Sequence, residues 1–447
     1  MKKITSIILI ALLYLLFVQS ETYLKIKKAQ NFTPDFNLNF DLNLAQNNAQ
    51  NFGQSFKQNF KSKTQKTPKN NKNTPIPFKN SLYKKFGDNF CSVEIFLINP
   101  NTFAKPSNTC KSNACKALLQ NINGAQKSID FALYGIEGQK DIMNALISAK
   151  NRGVKIRGVT DSRPDNTFVY YDTKVLIENF GAVSDKNTPY MHNKFFIFDN
   201  NTVFTGTMNI SNTGSGGYNS NTVLLIKNED IVKAYLNEFE QMYSGIFQTQ
   251  KQDFNKRVKC GGKNLHVLFS PVSNPYQIRV LPILQNARQE IFISIFYLTH
   301  NGIIQELINA KKRGVDVKII YDALGASNNK EKVKRLRENG VELKAENWGG
   351  KNHEKNMVID GKIFITGSAN FSHSGMGRND ENILIFENPE IAGFYRDYFL
   401  KLYNSLDEKY LRFTPRAESF ESINSCFDGV DNNFDSKIDA DDIGCAK

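Results

Sequence analysis

An internal repeat with an offset of 161 residues constrains the fold of this chain more than any other feature. The pattern His-x-Lys-x4-Asp occurs at His192 in MHNKFFIFDNNTVFTGTMN and again at His353 in HEKNMVIDGKIFITGSAN. The same offset relates Arg152-Gly153-Val154 to Arg313-Gly314-Val315. A single such spacing would be weak, because its residues are common. Two copies at matched places indicate a duplicated unit of about 160 residues.

Each half alternates apolar strand-like runs with amphipathic helix-like runs. In the first half SIDFALYG is followed by DIMNALISAKNRG, and in the second IFISIFYL is followed by GIIQELINAKKRG. This alternation predicts an α/β fold in which each repeat forms a mostly parallel sheet flanked by helices. We expect the two repeats, residues 86–250 and 251–410, to pack as a pseudo-two-fold pair.

The repeated histidines and lysines indicate a site in which two histidines have complementary roles. Residues two apart on a strand share a face, so His353 and Lys355 should project the same way, as should His192 and Lys194. Two facing imidazoles can act as a neutral nucleophile and a protonated acid, because imidazole titrates near neutrality. Cationic side chains beside them would suit a phosphodiester, whose anionic oxygens repel nucleophiles.

The duplicated His-x-Lys-x4-Asp motif, followed by Gly-Ser-x-Asn, resembles the phospholipase D superfamily over roughly residues 88–405. The string GSANFSHSGMGRNDEN is most similar to the branch of secreted bacterial endonucleases and mitochondrial-type cardiolipin hydrolases. It lacks the Asp-Arg-Ser run typical of cardiolipin synthases. The resemblance implies two phospholipase D-like repeats and a phosphoric diester hydrolase that works through a covalent phosphohistidine without a metal.

The resemblance also implies residue roles. His192, in the N-terminal motif, would be the nucleophile and His353 the general acid, although the opposite assignment is open. Around the phosphate we expect the lysines and neutral donors of both repeats: Lys194, Lys355, Asn209, Asn370, and the equivalent hydroxyls of Thr207 and Ser368.

Three carboxylates are interpreted as orienters of the histidines: Asp199, Asp360 and Glu381. Asp199 and Asp360 could instead cap hairpins, as Asp-Asn and Asp-Gly turns often do. The position matching Glu381 in the first repeat is taken to be Ser220, so only one histidine is expected to have that carboxylate partner. This asymmetry would separate the two imidazole pKa values.

The substrate is not determined by these residues. The formal net charge of +13 favours a polyanionic partner, which could be a phospholipid surface or a nucleic acid. The leading interpretation is an enzyme that hydrolyses phospholipid headgroups. The alternatives are a secreted metal-independent endonuclease and a calcium-dependent binding protein on a non-catalytic scaffold. Because both motifs lie in one chain, we expect a monomer with a complete site.

The N-terminal region predicts export. Lys2 and Lys3 precede an apolar run and a small-residue cleavage site, so residues 1–20 are interpreted as a signal peptide and the protein as periplasmic or secreted. Residues 21–85 are rich in Asn, Gln and Lys and predict a disordered linker. No transmembrane helix is expected in the mature chain.

The C-terminal residues 424–447 predict a separate, disulfide-closed unit. Cys426 and Cys445 are the expected pair, whereas the pairing of Cys91, Cys110, Cys115 and Cys260 stays open. Between the expected pair, the sequence resembles EF-hand-like and thrombospondin-type-3 calcium repeats. The ligand positions would be Asp431, Asn433, Asp435, Lys437, Asp439 and Asp442. Ser436 replaces the usual Gly, and any calcium here would be structural or regulatory.

Overall fold

The computed structural model describes residues 82–100 and 102–446. The predicted signal peptide and all but the last four residues of the predicted linker lie outside this range. The first strand, β1 (Tyr83–Gly87), pairs antiparallel with β2 (Ser92–Ile98) and starts inside the predicted linker. The first repeat therefore begins before residue 86, because Phe86 of β1 is buried in the core.

The first repeat continues from β2 through alternating helices and strands. Asn228 caps the last helix by accepting a hydrogen bond from the Ile231 N–H. The elements are α1 (Asn113–Gly124), β3 (Ser128–Leu133), α2 (Lys140–Asn151), β4 (Lys155–Asp161), α3 (Lys174–Phe180), β5 (Val183–Asp185), β6 (Lys194–Phe198), β7 (Thr202–Gly206), β8 (Asn221–Lys227) and α4 (Glu229–Tyr243).

The second repeat follows the same plan. Asn388 caps its last helix, and Pro389 occupies the first helical position, where a missing N–H costs nothing. The elements are β9 (Lys256–Cys260), β10 (Lys263–Ser270), α5 (Leu281–Asn286), β11 (Glu290–Ile295), α6 (Asn301–Lys312), β12 (Asp316–Tyr321), α7 (Ala323–Asn328), α8 (Lys330–Glu338), β13 (Glu342–Ala345), β14 (Lys355–Ile359), β15 (Ile363–Gly367), α9 (His373–Gly377), β16 (Glu381–Glu387) and α10 (Pro389–Ser405).

The two sheets have the same strand order. The first is β1-β2-β8-β7-β6-β3-β4-β5 and the second is β9-β10-β16-β15-β14-β11-β12-β13, each with eight strands. Each strand of the first sheet thus has a counterpart at the same place in the second. The predicted α/β fold with two equivalent repeats is confirmed.

The prediction of mostly parallel sheets was wrong. Only β3-β4-β5 and β11-β12-β13 are parallel, and the other neighbours in both sheets are antiparallel. The reason is connection length. Residues 199–201 join β6 to β7, and such a short link permits a hairpin but not the long crossover that parallel neighbours require.

A core shared by both repeats joins the sheets. It contains Tyr235 and Phe239 of α4, Tyr395 and Phe399 of α10, and inward-facing residues of both sheets such as Phe269. Separate clusters lie beneath the outer helices of each repeat. Since one core holds both sheets, the ends of their central strands meet at a common edge.

Three disulfides close parts of the fold. The expected pair Cys426–Cys445 is present, with sulfurs 1.97 Å apart. The sequence left the pairing of the other four cysteines open. Cys91 bonds Cys260 and so links the two repeats, and Cys110 bonds its near neighbour Cys115.

The C-terminal segment is anchored to the second repeat. The Ile423 N–H donates to the Asn347 carbonyl at 2.7 Å, and the Arg337 guanidinium donates to the carbonyl of Tyr410 at 2.7 Å. The disulfide-closed loop itself contacts the first repeat through the bond from the Tyr218 hydroxyl to Asp428, so it packs onto the repeats. Within the described residues, no helix combines the length and apolarity needed to cross a bilayer.

Candidate active site

The two motif histidines line one cleft between the repeats. His192 lies two residues before the start of β6 and His353 two residues before β14. Both line a cavity of about 870 Å³, and only 8% and 7% of the two residues are exposed. The structure thus brings the two predicted reacting groups together where equivalent strands of the two sheets begin.

His192 is held by a carboxylate from the other repeat. Its Nδ1 lies 2.8 Å from Oε2 of Glu381, the first residue of β16. The Ser368 hydroxyl donates to the same oxygen at 2.6 Å, and the Asn379 amide donates to Oε1 at 3.2 Å. With Nδ1–H donating to the carboxylate, the Nε2 lone pair is left for the cleft. Glu381 therefore lies where an orienter of His192 would have to lie, and Ser368 bonds to it.

His353 has a neutral partner in the equivalent position. Its Nδ1 lies 3.1 Å from Oδ1 of Asn221, the first residue of β8, and the Thr207 hydroxyl donates to that oxygen at 2.9 Å. Thr207 therefore repeats the role of Ser368, and Asn221 repeats that of Glu381.

The predicted match between Glu381 and Ser220 was wrong by one residue. Gly206 of β7 pairs with Val223, and the equivalent Gly367 of β15 pairs with Ile383, so the intervening loop is one residue longer in the first repeat. Ser220 instead donates to a carboxylate oxygen of Glu354 at 3.1 Å. Within the part of the chain that the structure describes, only His192 has a carboxylate at its Nδ1, whereas His353 has an amide oxygen.

The motif lysines lie beside the histidines. Lys194 Nζ donates to the His192 carbonyl at 2.7 Å, and Lys355 Nζ donates to the His353 carbonyl at 2.9 Å. Each ammonium also lies near an aromatic ring, 5.4 Å from the centroid of Tyr134 for Lys194 and 5.3 Å from that of Phe296 for Lys355. Both lysines are buried, which suits binding of nonbridging phosphate oxygens.

Burial controls the charge of these groups. Desolvation lowers the pKa of His192 to about 4, although the Glu381 carboxylate opposes this shift. It lowers the pKa of Lys194 to about 7 and takes the pKa values of Lys355 and His353 well below their ordinary values. An anionic phosphate in the cleft would raise these pKa values again, because it favours the charged forms.

The predicted asparagines also reach the cleft. Asn209 and Asn370 both line it, and the Asn209 amide donates to the Tyr170 hydroxyl at 3.0 Å. Within the described residues the Oδ1 atoms of both asparagines have no hydrogen-bond partner. Such unsatisfied buried oxygens are uncommon, and a bound ligand would explain them.

Asp199 and Asp360 do not orient the histidines. Each carboxylate accepts three consecutive backbone N–H groups, from residues 126–128 for Asp199 and from residues 288–290 for Asp360. They follow the five-residue strands β6 and β14, and at ~3.3 Å per residue lie roughly 20 Å from the histidines. The interpretation as orienters was wrong, and the hairpin alternative is correct.

A second pair of aspartates was missed. Asp161 ends β4 and accepts the Met191 N–H at 2.8 Å, while Asp322 follows β12 and accepts the Asn352 N–H at 2.9 Å. Each therefore fixes the residue just before a motif histidine. Burial raises the pKa of Asp161 to about 8 and that of Asp322 to about 6. Asp161 and Asp322 are 161 residues apart, which is the offset of the repeat, and this match could have identified them from the sequence.

A buried ion-pair cluster supports the backbone of His192. Lys251 Nζ contacts the carboxylates of Glu238 and Asp380, and all three side chains are fully buried. The Asp380 carbonyl in turn accepts the His192 N–H at 2.9 Å, and Glu381 is the next residue. The cluster thus ties α4 of the first repeat to the chain that carries the carboxylate partner.

The C-terminal segment forms part of the cleft. Asp428, Val430, Asp431 and Phe434 line the cavity together with the histidines. The Tyr218 hydroxyl donates to an Asp428 carboxylate oxygen at 2.5 Å. This contribution was not predicted, because it depends on how a segment without regular secondary structure packs after both repeats are complete.

Carboxylates of the predicted calcium loop are hydrogen-bonded to backbone N–H groups of the same loop. Asp431 accepts the backbone N–H groups of Asp435 and Ser436, and Ser436 has the positive φ of 71° expected at the usual Gly position. Asp439 turns away to accept from Asp428 and Gly429. Among the described residues, no three Asp, Glu, His or Cys side chains gather as a metal site. Calcium binding stays a prediction.

Comparisons with known proteins agree with this geometry. The sequence profile of a family described as "Cardiolipin synthase, PLD-like domain" matches residues 118–243 and 280–403. These two matches cover more than half of the chain and coincide with the two repeats. The chain therefore belongs to this family of PLD-like domains, which supports the predicted class of phosphodiesterase.

Individual relatives match one part of the chain. A phospholipase D of Rickettsia bellii is 32% identical over 117 residues, which is 26% of this chain and 58% of the relative. A mitochondrial cardiolipin hydrolase of Chlamydomonas reinhardtii is 25% identical over 150 residues, which is 34% of this chain and 67% of the relative. The chain thus spans about three fifths to two thirds of the length of these relatives.

A solved structure supports the two-repeat fold. The phosphatidylserine synthase of Haemophilus influenzae Rd KW20 is similar with a TM-score of 0.51 and 11% identity, over 65% of this chain and 84% of that chain. At this identity the similarity concerns the fold alone.

Proposed function

We propose that this protein is an exported phospholipase D-type phosphodiesterase that hydrolyses phospholipid headgroups through a covalent phosphohistidine. The observation that carries the proposal is the pair of imidazoles lining one cleft, with Nδ1 of His192 bonded to a carboxylate and Nδ1 of His353 bonded to a neutral amide. Two histidines with different partners suit two different roles.

His192 is the nucleophile in this proposal. Its Nδ1–H donates to Glu381, so its Nε2 lone pair attacks phosphorus and the imidazole becomes positively charged. The carboxylate stabilises that charge. Lys194 and Lys355 bind the nonbridging oxygens, where negative charge must be stabilised in the transition state.

His353 is the general acid and then the general base. In the first step it gives its Nε2 proton to the alcohol oxygen that leaves as the phosphorus–oxygen bond breaks. In the second step it takes a proton from water. That water attacks phosphorus and breaks the bond to His192, so the products are a phosphomonoester and the free alcohol. Asn221 holds the ring while leaving it a better acid than a carboxylate partner would.

The distribution of charge favours a lipid over a nucleic acid. Residues 1–81 contain 12 of the 57 basic residues but only 3 of the 44 acidic ones, so residues 82–447 have a net charge of +4. The repeats and the acidic C-terminal segment, taken together, therefore lack the strong positive charge that nucleic-acid binding usually needs. Relatives named phospholipase D and cardiolipin hydrolase support the same choice.

The test is hydrolysis by the purified protein, with EDTA present, of phosphatidylcholine, cardiolipin and single- and double-stranded DNA in parallel. We expect a lipid to be hydrolysed, and His192→Ala and His353→Ala each to reduce kcat by at least ~10²-fold. An activated p-nitrophenyl ester separates the two roles. It needs little help from an acid, so His353→Ala should still form the phosphoenzyme and His192→Ala should not.

Three outcomes would contradict the proposal. Cleavage of DNA alone would favour the endonuclease. Variants as active as the wild type would remove the catalytic role of the histidines. Absence of any turnover together with calcium-dependent adhesion would favour the binding protein.

A further inference from the structure

The C-terminal segment forms a fixed wall of the cleft. It is closed by the Cys426–Cys445 disulfide. It is also tied to the first repeat by the 2.5 Å bond between Tyr218 and Asp428 and to the second by the Ile423–Asn347 backbone bond. Because the disulfide closes the loop and two hydrogen bonds hold the chain where it enters the loop, we treat residues 428–434 as a permanent part of the cleft wall, hereafter the C-terminal wall.

This wall packs an aromatic ring against a lysine that lines the cleft. Lys351 lies two residues before His353, and its Nζ is 3.2 Å from the centroid of the Phe434 ring. Asp431 of the wall, Asp322 and Glu137 interact with it electrostatically. The ammonium of Lys351 therefore packs against one aromatic ring, and nearby carboxylates offset its positive charge. It consequently attracts an anionic substrate only weakly.

The charge around the histidines differs from that of the rest of the cleft lining. The motif lysines lie next to the histidines, where an anionic phosphate favours their charged forms. Among the other residues that line the cavity, Glu137, Asp428 and Asp431 are acidic and Lys351 is basic. One phosphodiester beside the histidines is attracted, whereas further phosphates attached to it would meet like charge. A nucleic-acid strand adds such a charge every ~3.4 Å of duplex axis, and like charges across an interface suppress the wrong partner.

We propose that the C-terminal wall determines specificity by admitting isolated phosphodiesters and rejecting polyphosphodiester strands. The inference rests on the proposed function and adds the element that selects the substrate. The selection is electrostatic: the wall adds acidic groups to the cleft lining and packs Phe434 against the lysine of that lining.

The experiment measures kcat/KM on two probes, bis(p-nitrophenyl) phosphate as an isolated diester and a single-stranded oligonucleotide. Asp431→Lys reverses a wall charge, and Val430→Lys adds a positive charge at the wall without removing the Asp431 hydrogen bonds or a predicted calcium ligand. Phe434→Ala removes the ring that packs against Lys351. Asp441→Lys is the matched control, because this exposed residue lies in the same disulfide-closed loop but does not line the cleft.

We expect the ratio of oligonucleotide to isolated-diester hydrolysis to rise about tenfold or more in Asp431→Lys and Val430→Lys, less in Phe434→Ala, and not in Asp441→Lys. Added salt should weaken oligonucleotide binding more steeply in the two lysine variants. Thermal unfolding confirms that each variant is folded.

Two results overturn different statements. If His192→Ala loses hydrolysis of the isolated diester but Asp431→Lys, Val430→Lys and Asp441→Lys give the same ratio, the wall has no selective role while the proposed function stands. If His192→Ala hydrolyses the isolated diester as the wild type does, the proposed function fails and the inference about the wall fails with it.

Discussion

The imidazole of His192 in the first repeat is held by the carboxylate of Glu381 in the second, at 2.8 Å and a separation of 189 residues. His353 reaches back across the same boundary to Asn221. Each repeat thus supplies one imidazole and the hydrogen-bond partner of the other imidazole. Both repeats are needed for this arrangement, and the two exchanged partners differ in charge.

Replacing the carboxylate partner should affect the nucleophile. In Glu381→Gln the group that raises the pKa of His192 is lost, so burial should take that pKa below its present value of about 4. Since protonated His192 cannot attack, the acid limb of kcat/KM should move to lower pH, and kcat should fall about 10²–10³-fold. A pH–rate profile between pH 3 and 9 measures both effects. An unchanged profile would mean that Glu381 does not act through His192.

Adding a carboxylate beside His353 should raise the pKa of that histidine and shift the basic limb of the pH–rate profile. Asn221→Asp places an anion at Nδ1 of His353, which raises the pKa of that imidazole. His353 then keeps its proton to higher pH, so the basic limb of the profile should shift upward. The Thr207 hydroxyl can still donate to the new side chain. A shift of the acid limb instead would reverse the assigned roles of the two histidines.

The buried cluster around Lys251 should matter for stability. Lys251→Met leaves the carboxylates of Glu238 and Asp380 buried without their cation, which costs about 3–5 kcal/mol of unfolding free energy. Lys256→Met is the matched control, because Lys256 pairs with Asp230 at 3.2 Å on the exposed surface, where a pair contributes about 1 kcal/mol or less. Urea denaturation compares them. Equal losses would show that burial of the cluster is unimportant.

Much of the fold followed from periodicity and repetition. The matched histidines and lysines could be predicted because each motif is local and its strand places alternate residues on one face. Glu381 was recognised, but its counterpart was misplaced because a single inserted residue before Asn221 is invisible without the strand register. Asp199 and Asp360 were misassigned because sequence spacing does not reveal that the strand carries them to its opposite end.

Other features depended on long-range packing. The Cys91–Cys260 bond and the approach of Phe434 to Lys351 join residues far apart in the chain, and no local pattern encodes either contact. The proportion of antiparallel strand pairs was likewise underestimated. The alternation of helices and strands suggested parallel neighbours, although several consecutive strands are joined by short links and form hairpins.

The inter-repeat disulfide should stabilise more than the local one. Cys91 and Cys260 are separated by 169 residues, whereas Cys110 and Cys115 are separated by five. The chain-entropy model predicts losses of about 5 and about 2 kcal/mol when the bonds are removed. We expect Cys91→Ala/Cys260→Ala to lower the urea midpoint more than Cys110→Ala/Cys115→Ala. The opposite order would show that the two repeats are held together without help from the disulfide.

Calcium should act on stability and leave the chemistry unchanged. Asp431 and Asp435 already accept backbone N–H groups within their own loop, so a calcium ion would have to draw their carboxylates together. An ion present at ~100 times its dissociation constant would add about 2.7 kcal/mol. We expect millimolar calcium to raise the Tm of the full chain relative to EDTA, and Asp435→Asn to reduce the increase, because it removes one ligand charge.

Hydrolysis of a small diester should be the same in calcium and in EDTA, because in the proposed mechanism the two histidines supply both the nucleophile and the acid. Asp441→Asn is the matched control for the melting experiment, since Asp441 is exposed and outside the predicted ligand positions. Superimposable melting curves of the wild type in calcium and in EDTA would rule out calcium binding at this loop. The hydrogen bonds now seen among its carboxylates and amides would then be what holds the C-terminal wall in place.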